Sequence, residues 1–281
     1  RYVANQGDGW DYTLGYLERF LRDAVTTDGT TTSDAAEVAA VHGGFLALMA
    51  TLGRRTAELH RALATRTGAA AFDPEPLAAA DFESFRTHAA SDATATLALL
   101  RERIELLPGV AQADARTLLA AADALQAGIA ARRPVEGGGI KTRYHGDYHL
   151  GQVLVKDNDF VIIDFEGEPA RTFDERRTKS SPLRDVAGML RSFNYARWSA
   201  LRRVAQSTEE AERLAAPAIA WEQATRDAFL AGYGEAVDTE LLALFELEKA
   251  LYELRYELNN RTDWAQVPLH GVLALIQPAR A

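Results

Sequence analysis

The sequence predicts a mostly α-helical protein with one small β-hairpin near its middle. Apolar residues recur at helical spacing along most of the chain. The alanine-rich stretch ahead of residue 132 has high intrinsic helix propensity. From Ile140 to Phe165 the texture changes to alternating β-branched residues, with polar Asp157-Asn158-Asp159 set between two short apolar runs.

Taken in order, Tyr12, Leu14, Leu17, Phe20 and Leu21 lie on one side of a helix that starts near Asp11. Val38, Val41, Phe45, Leu48, Leu52 and Leu59 mark a longer helix, entered at Ser33 or Asp34, both good N-caps. Two further helices are expected over Phe82–Leu107 and Ala111–Ala131, parted by Pro108-Gly109. Arg132-Arg133-Pro134 stops the second, and Glu136 to Gly139 is a glycine joint. The hairpin follows, then a charged, irregular stretch from Glu166 to Pro182. Helices return at Asp185, near Glu209 and near Asp238, and a short one follows Pro268. Trp10, Trp198 and Trp221 sit among apolar residues at helical spacing and belong to the core. His42, His60 and His88 fall within helices as structural or surface groups.

Composition narrows the function classes. At 281 residues the chain can bury a substantial core. A net charge of −9 argues against nucleic-acid binding, which depends on neutralising phosphates. The arginine pairs 54–55, 132–133 and 176–177 read as solvated helix surface. No uninterrupted apolar stretch approaches a membrane span, and the first twenty residues lack a basic leader and an apolar h-region. The absence of cysteine excludes disulfides and thiolate metal sites and fits a reducing cytoplasm. The expectation is a cytoplasmic protein with neither nucleic-acid nor membrane partners.

Polar residues concentrate at the hairpin. The segment His145-Gly-Asp-Tyr-His-Leu-Gly-Gln152 leads into one strand, and Phe160-Val-Ile-Ile-Asp164-Phe-Glu166 leaves the other. With residues 157–159 as the turn, 156 pairs with 160, 154 with 162 and 152 with 164. Gln152 and Asp164 then face each other across the open end, with Asp147 on the loop feeding it. Oxygen donors from Gln152, Asp164 and Glu166 suit a hard cation such as Mg²⁺, which completes its shell with water and phosphate. A separate carboxylate, Asp147, is placed to accept a proton from a substrate hydroxyl. Phosphoryl transfer requires that division of labour. The spacing of five between Asp147 and Gln152 matches the Asp-to-Asn spacing of a protein-kinase catalytic loop, with Asp164 at the later metal position.

These motifs, together with Asp164-Phe-Glu-Gly-Glu-Pro169 and Ser181-Pro-Leu-Arg-Asp-Val-Ala-Gly-Met-Leu-Arg-Ser-Phe193, resemble bacterial maltokinase. That family belongs to the aminoglycoside-phosphotransferase-like kinases and is sometimes fused to trehalose synthase, a candidate partner here. The likeness covers residues 145–195 and resumes over Glu248–Asn260 and Asp263-Trp264. The opening Arg1-Tyr-Val-Ala-Asn-Gln-Gly-Asp-Gly-Trp10 resembles the stretch just after the hinge between two kinase lobes. The resemblance implies a protein-kinase-like C-terminal lobe of the α+β superfamily over residues 1–281. Residues 1–135 would form a helical subdomain, and 136–281 the catalytic loop, metal-binding hairpin and C-terminal helices.

The resemblance also implies ATP- and Mg²⁺-dependent phosphorylation of maltose to maltose 1-phosphate. Asp147 would be the catalytic base, and Gln152 and Asp164 would hold Mg²⁺ with Glu166 as a second acidic contact. His145 would brace the loop, His149 would sit beside the site, and Asp185 would hydrogen-bond to the loop. Tyr2 and Val3, at the hinge, would contact the nucleotide. A complete kinase carries a β-lobe with a phosphate-covering loop and a lysine, and the chain contains neither. ATP would therefore be reached through an N-terminal lobe outside this chain, and the chain alone should bind sugar better than ATP and turn over poorly.

For the sugar, Glu246, Lys249, Glu253, Tyr256 and Asn260 share one face of the helix near 240–259, followed by Arg261 and Trp264. Charged rim groups and an aromatic plate suit a carbohydrate. The same face read blandly is a solvated one laced with helix-surface ion pairs. Other classes stay open. A related glucosamine kinase would share the catalytic loop, and Glu253 suits an amino sugar. The alternating His145, Asp147 and His149, with Asp164 as fourth ligand, would suit a metal-dependent hydrolase. A non-catalytic sugar-binding module would use the acids only to cap and bridge.

Overall fold

The computed structural model describes residues 3–26, 35–133, 139–168 and 172–276. Its helices and strands in chain order are α1 (Gly9–Thr26), α2 (Ala35–Leu63), β1 (Glu75–Pro76), α3 (Ala79–Arg103), α4 (Gly109–Ala120), α5 (Ala122–Ala131) and β2 (Ile140–Lys141). There follow β3 (Val153–Lys156), β4 (Asp159–Ile162), α6 (Phe173–Arg177), α7 (Leu183–Val204), α8 (Thr208–Tyr233), α9 (Thr239–Asn260) and α10 (Gln266–Ile276). Among the described residues, no helix is long and apolar enough to cross a membrane.

The chain folds into two compact units whose segments alternate along the sequence. One comprises Arg1–Pro74, Thr142–Lys179 and Gly188–Ala236; the other comprises Glu75–Lys141, Ser180–Ala187 and Val237–Ala281. The expected division at residue 135 is replaced by this interleaving. The glycine joint at 136–138 and the caps at Ser33 and Asp34 lie outside the described residues.

In the first unit α2 packs along α8 at a separation that side chains at two points would forbid. A Cβ on Gly53 would overlap the carbonyl of Phe229, and one on Gly232 would overlap the carbonyl of Ala50. These glycines serve close approach rather than flexibility. Around the contact, Leu17, Leu21, Met49, Leu52, Trp221 and Phe229 are fully buried. Phe45 stacks on Tyr16 with centroids 4.4 Å apart and reaches Trp221 at 5.6 Å. Helix α8 starts where the Ser207 hydroxyl accepts the Glu210 amide, and ends at Gly234, whose φ of 66° is the left-handed stop favoured by glycine. Trp221 is the core residue that the sequence suggested, whereas Trp10 and Trp198 are only half-buried.

The second unit gathers α3, α4, α5, α9 and α10 about a core including Leu97, Leu100, Leu118, Leu125, Leu251 and Leu254. The expected helix over Ala111–Ala131 is two helices, α4 and α5, that meet at Ala121. Alanine favours helix on both sides of that joint, so its sequence carries no break signal. The last helix begins at Gln266, two residues ahead of Pro268, which is tolerated because the first turn needs no amide donor. Arg184 is held by Glu248 at 2.7 and 3.2 Å and lies over the rings of Phe85 and Phe245. Arg255 pairs with Asp92 at 2.9 Å in the same unit. One arginine of each expected surface pair is half-buried and bonded: Arg55 to Asp159, Arg132 to Glu240 and Arg176 to the Glu166 carbonyl.

His42 and His60 are buried, while His88 is exposed. The His42 ring lies 2.7 Å from the Tyr16 hydroxyl and 4.5 Å from the Phe20 centroid. Burial pushes its pKa below the ordinary 6.5. Below that value the unfolded chain takes up a proton that the folded chain resists, so this contribution to stability is complete above 6.5 and lost as pH falls. The thermal midpoint should therefore drop on going from about pH 7 to about pH 5, with a smaller drop in His42→Gln. Equal drops in both proteins, followed by circular dichroism, would assign the pH dependence to other groups.

Candidate functional site

The site starts from the hairpin in the first unit. Asp157 and Asn158 both take positive φ, 51° and 58°, so the turn has two residues and belongs to the type that matches strand twist. Asp159 therefore pairs with Lys156, Val155 with Phe160, Leu154 with Val161 and Val153 with Ile162. This shifts the expected register by one residue. Asp159 was expected in the turn but lies in β4, where Arg55 grips it at 2.8 and 2.7 Å. That guanidinium holds the Asp159 carboxyl below the usual carboxylate range. The opening segment pairs with the other edge of β3. The Gln6 amide donates to the Val155 carbonyl at 2.8 Å, and the Val155 amide donates to the Gly7 carbonyl at 3.0 Å.

Beyond the open end of the hairpin, the Ile163 amide donates to the Gln152 carbonyl at 3.0 Å. Asp164 then turns into the left-handed region at φ 62°. That turn restores the meeting which the register shift removes from the ladder: the Gln152 amide lies 3.1 Å from an Asp164 carboxylate oxygen.

His145 ties the preceding loop to the same point. Its Nε2 lies 2.7 Å from the Ile163 carbonyl, which can only accept, so Nε2 carries the proton. Nδ1 is then left as an acceptor, and the Asp147 amide donates to it at 3.4 Å. Gly146, at φ 88°, faces Gly167 so closely that an added Cβ would stand 3.2 Å from the Gly167 Cα. Asp147 is thereby fixed beside His149, whose Nε2 is 3.8 Å from its carboxylate. His149 also accepts the Gly151 amide on Nδ1 at 3.0 Å. Asp147 is half-buried, whereas Asp164, Phe165 and Glu166 are exposed in succession.

The structure thus pairs Gln152 with Asp164 and Asp147 with His149, and His145 ties the backbones of the two segments together. Glu166 follows on the same segment, its carbonyl 3.4 Å from the Arg176 guanidinium. Among the described residues, no group of three His, Asp or Glu side chains could hold a metal. The hydrolase centre expected from His145, Asp147, His149 and Asp164 is therefore not assembled, because His145 spends both nitrogens on backbone groups. Tyr2 lies outside the described residues; Val3 is half-buried, and its carbonyl accepts the Asn5 side-chain amide at 2.9 Å.

The other candidates belong to the second unit. Asp185 is buried in the first turn of α7. On α9, Glu246 is buried rather than open as its polar stripe suggested. Lys249 lies 4.9 Å over the Tyr252 ring, Glu253 is half-buried, and Tyr256 is exposed. Arg261 is held by both oxygens of Glu257 at 2.9 and 2.6 Å, with the rings of Tyr256 and Trp264 at 5.6 and 5.5 Å.

Sequence reading missed the supports of the loop that carries Asp147. The Leu150 amide donates to the buried Ser192 hydroxyl at 3.0 Å. A Cβ on Gly188 would lie 2.6 Å from the Tyr148 carbonyl oxygen. Gly188 and Ser192 are one helical turn apart on α7, so one face both admits the loop and bonds it. A glycine and a serine at that spacing were the available signal. The Tyr148 hydroxyl closes the other side at 2.9 Å from Thr56. Ser192→Ala should leave a buried amide unpaired and cost about 1–3 kcal/mol. This is read as a lower denaturant midpoint at unchanged slope; an unchanged midpoint would mean that the amide finds another acceptor.

No family model matches the chain. It is 27% identical over 276 residues to a glucosamine kinase of Streptacidiphilus jiangxiensis, covering 95% of this chain and 54% of that protein. It is 29% identical over 276 residues to a glucosamine kinase of Mycolicibacterium smegmatis, covering 92% and 62%. The chain thus spans a little over half the length of these curated relatives. A solved glucosamine kinase in complex with glucosamine, ADP and inorganic phosphate superposes with a TM-score of 0.70 at 24% identity, over 98% of this chain and 59% of that one. A second crystal form of glucosamine kinase gives 0.69 at 25% identity, over 98% and 59%. The expectations of maltose and of trehalose synthase draw no support from these proteins, all named for glucosamine. What the superpositions establish is that this chain shares the fold of the matched part of those structures.

Proposed function

We propose that the chain is the acceptor-binding and catalytic part of a glucosamine kinase, with a protein-kinase-like C-terminal lobe. The observation that carries this reading is that one imidazole, His145, bonds both the Asp147 amide and the Ile163 carbonyl, next to the Gln152–Asp164 pair at the mouth of one hairpin. Similarity to two glucosamine kinases along more than nine-tenths of the chain favours glucosamine over maltose as acceptor.

The reaction forms a bond between a glucosamine hydroxyl oxygen and the γ-phosphorus of ATP and breaks the bond to the β–γ bridging oxygen. ADP leaves, and the hydroxyl proton passes to Asp147. Asp147 acts mainly by orienting that hydroxyl, since phosphoryl transfer draws on positioning and electrostatics more than on a strong base. His145 holds the Asp147 backbone at one end, and His149 flanks its carboxylate at the other. The donor set at the hairpin mouth fits Mg²⁺. Asp164 offers an exposed carboxylate, and the Gln152 side chain that meets it supplies an amide oxygen on rotation about its last bond. Glu166 is a further oxygen donor on the same segment. Bound there, the ion would offset charge on the phosphates. Within the second unit, Glu253, Lys249, Tyr256 and Trp264 are groups of the kind that recognise a sugar, and Glu246 is a buried member of the same helix. Val3, in the opening segment that runs into the Gln6–Gly7 pairing with β3, is a candidate nucleotide contact.

The test is phosphorus NMR of the full-length protein with ATP, Mg²⁺ and, in parallel, glucosamine, glucose or maltose. A sugar-phosphate signal is expected with glucosamine. Asp147→Asn should slow transfer by roughly 10²–10⁴-fold, with glucosamine affinity in titration calorimetry nearly unchanged. Lost affinity with normal turnover would overturn the role of Asp147, and transfer to maltose alone would return the acceptor to that sugar.

A further inference from the structure

We infer that Phe165 is the apolar plate on which the acceptor's sugar ring rests, an inference that builds on the proposed sugar-kinase function. Phe165 is 54% exposed, between the exposed carboxylates of Asp164 and Glu166. An exposed aromatic residue alone means little; its setting carries the argument. The Phe165 ring lies 5.1 Å from the His145 ring, which lies 5.2 Å from the ring of buried Tyr148. Phe165 is thus the outer member of a row of three rings whose inner member is anchored through its hydroxyl to Thr56. The middle ring, His145, accepts the Asp147 amide, so the open aromatic face stands one ring away from the proposed base. Phe173, which is more exposed still, has the Arg176 guanidinium 5.6 Å from its ring and belongs to α6 instead.

A pyranose presents carbon-bound hydrogens on its faces, and their positive edge matches the negative face of an arene. The ammonium of an amino sugar adds attraction to the same face. A ring supported from behind loses little freedom when a sugar settles on it, so the contact favours sugar affinity rather than nucleotide affinity.

The experiment is steady-state kinetics of the full-length protein bearing Phe165→Ala, Phe165→Leu or Phe165→Trp, with glucosamine and ATP varied separately. Phe165→Ala should raise KM for glucosamine about five- to tenfold and leave KM for ATP unchanged, while Phe165→Trp restores the glucosamine value. Phe165→Leu keeps apolar bulk without an aromatic face, should behave like the alanine variant, and stands in for it if that variant fails to fold. An unchanged KM for glucosamine, or a rise confined to ATP, would overturn the inference while leaving the kinase reading intact. A wild-type protein that phosphorylates no sugar would overturn both.

Discussion

The geometry of the candidate site depends on one imidazole. His145 donates from Nε2 to the Ile163 carbonyl and accepts the Asp147 amide on Nδ1. The first bond fixes the backbone one residue before Asp164; the second fixes the backbone at Asp147. The backbones at Asp147 and Ile163 are thereby referred to a single rigid ring. A neutral imidazole carries one donor and one acceptor on a single rigid plane. Replacement by a hydrogen-bonding group of another shape would satisfy one segment and release the other.

That bracket works because the surrounding backbone is packed too closely to relax. Gly146 and Gly167 bring the two segments into contact at their Cα atoms, Gly188 admits the Tyr148 carbonyl, and Gly9 admits Val153 and the Leu150 carbonyl. Asp164 pays for its position with a left-handed φ, which costs a non-glycine residue roughly 1–2 kcal/mol. Its neighbours over-determine that conformation. The Ile163 amide is bonded to Gln152, the Ile163 carbonyl to His145, and the Asp164 carboxylate meets the Gln152 side chain. Strain held in this way at a polar mouth is the pattern expected of a residue placed for chemistry rather than for stability.

How much of this was legible in the sequence differs from element to element. The hairpin and its acidic mouth were legible, because alternation and turn residues are local signals. Its register was off by one because Asp159 looks like a turn residue, whereas its carboxylate is claimed by Arg55 on a helix more than a hundred residues earlier. The Gln152–Asp164 meeting was anticipated through the ladder but arises from the left-handed turn beyond it. Glu246 was assigned to an open face because helical spacing distinguishes faces but not their depth. Ser192 and Gly188 stand within the Ser181–Phe193 motif, yet their work on Leu150 and Tyr148 depends on contacts some forty residues apart in sequence. The interleaved units were invisible for the same reason, since composition does not report which distant segments share a core.

The residues proposed for chemistry and those proposed for recognition are also supported differently. Asp147, Gln152 and Asp164 are set by backbone contacts and buried side chains of one unit: His145, Tyr148, Ser192 and the glycines. Tyr256, Lys249 and Trp264 belong to the other unit and are held by cation–ring contacts with Arg261 or with a neighbour on α9. Contacts of that kind at partly exposed positions are individually weak, about 0.5–1 kcal/mol, and tolerate exchange. A phosphoryl-transfer site gains most of its rate from placement, so its supports must be stiff. Acceptor choice needs only a difference in affinity between two sugars. A loop motif shared among small-molecule kinases therefore does not by itself fix the acceptor.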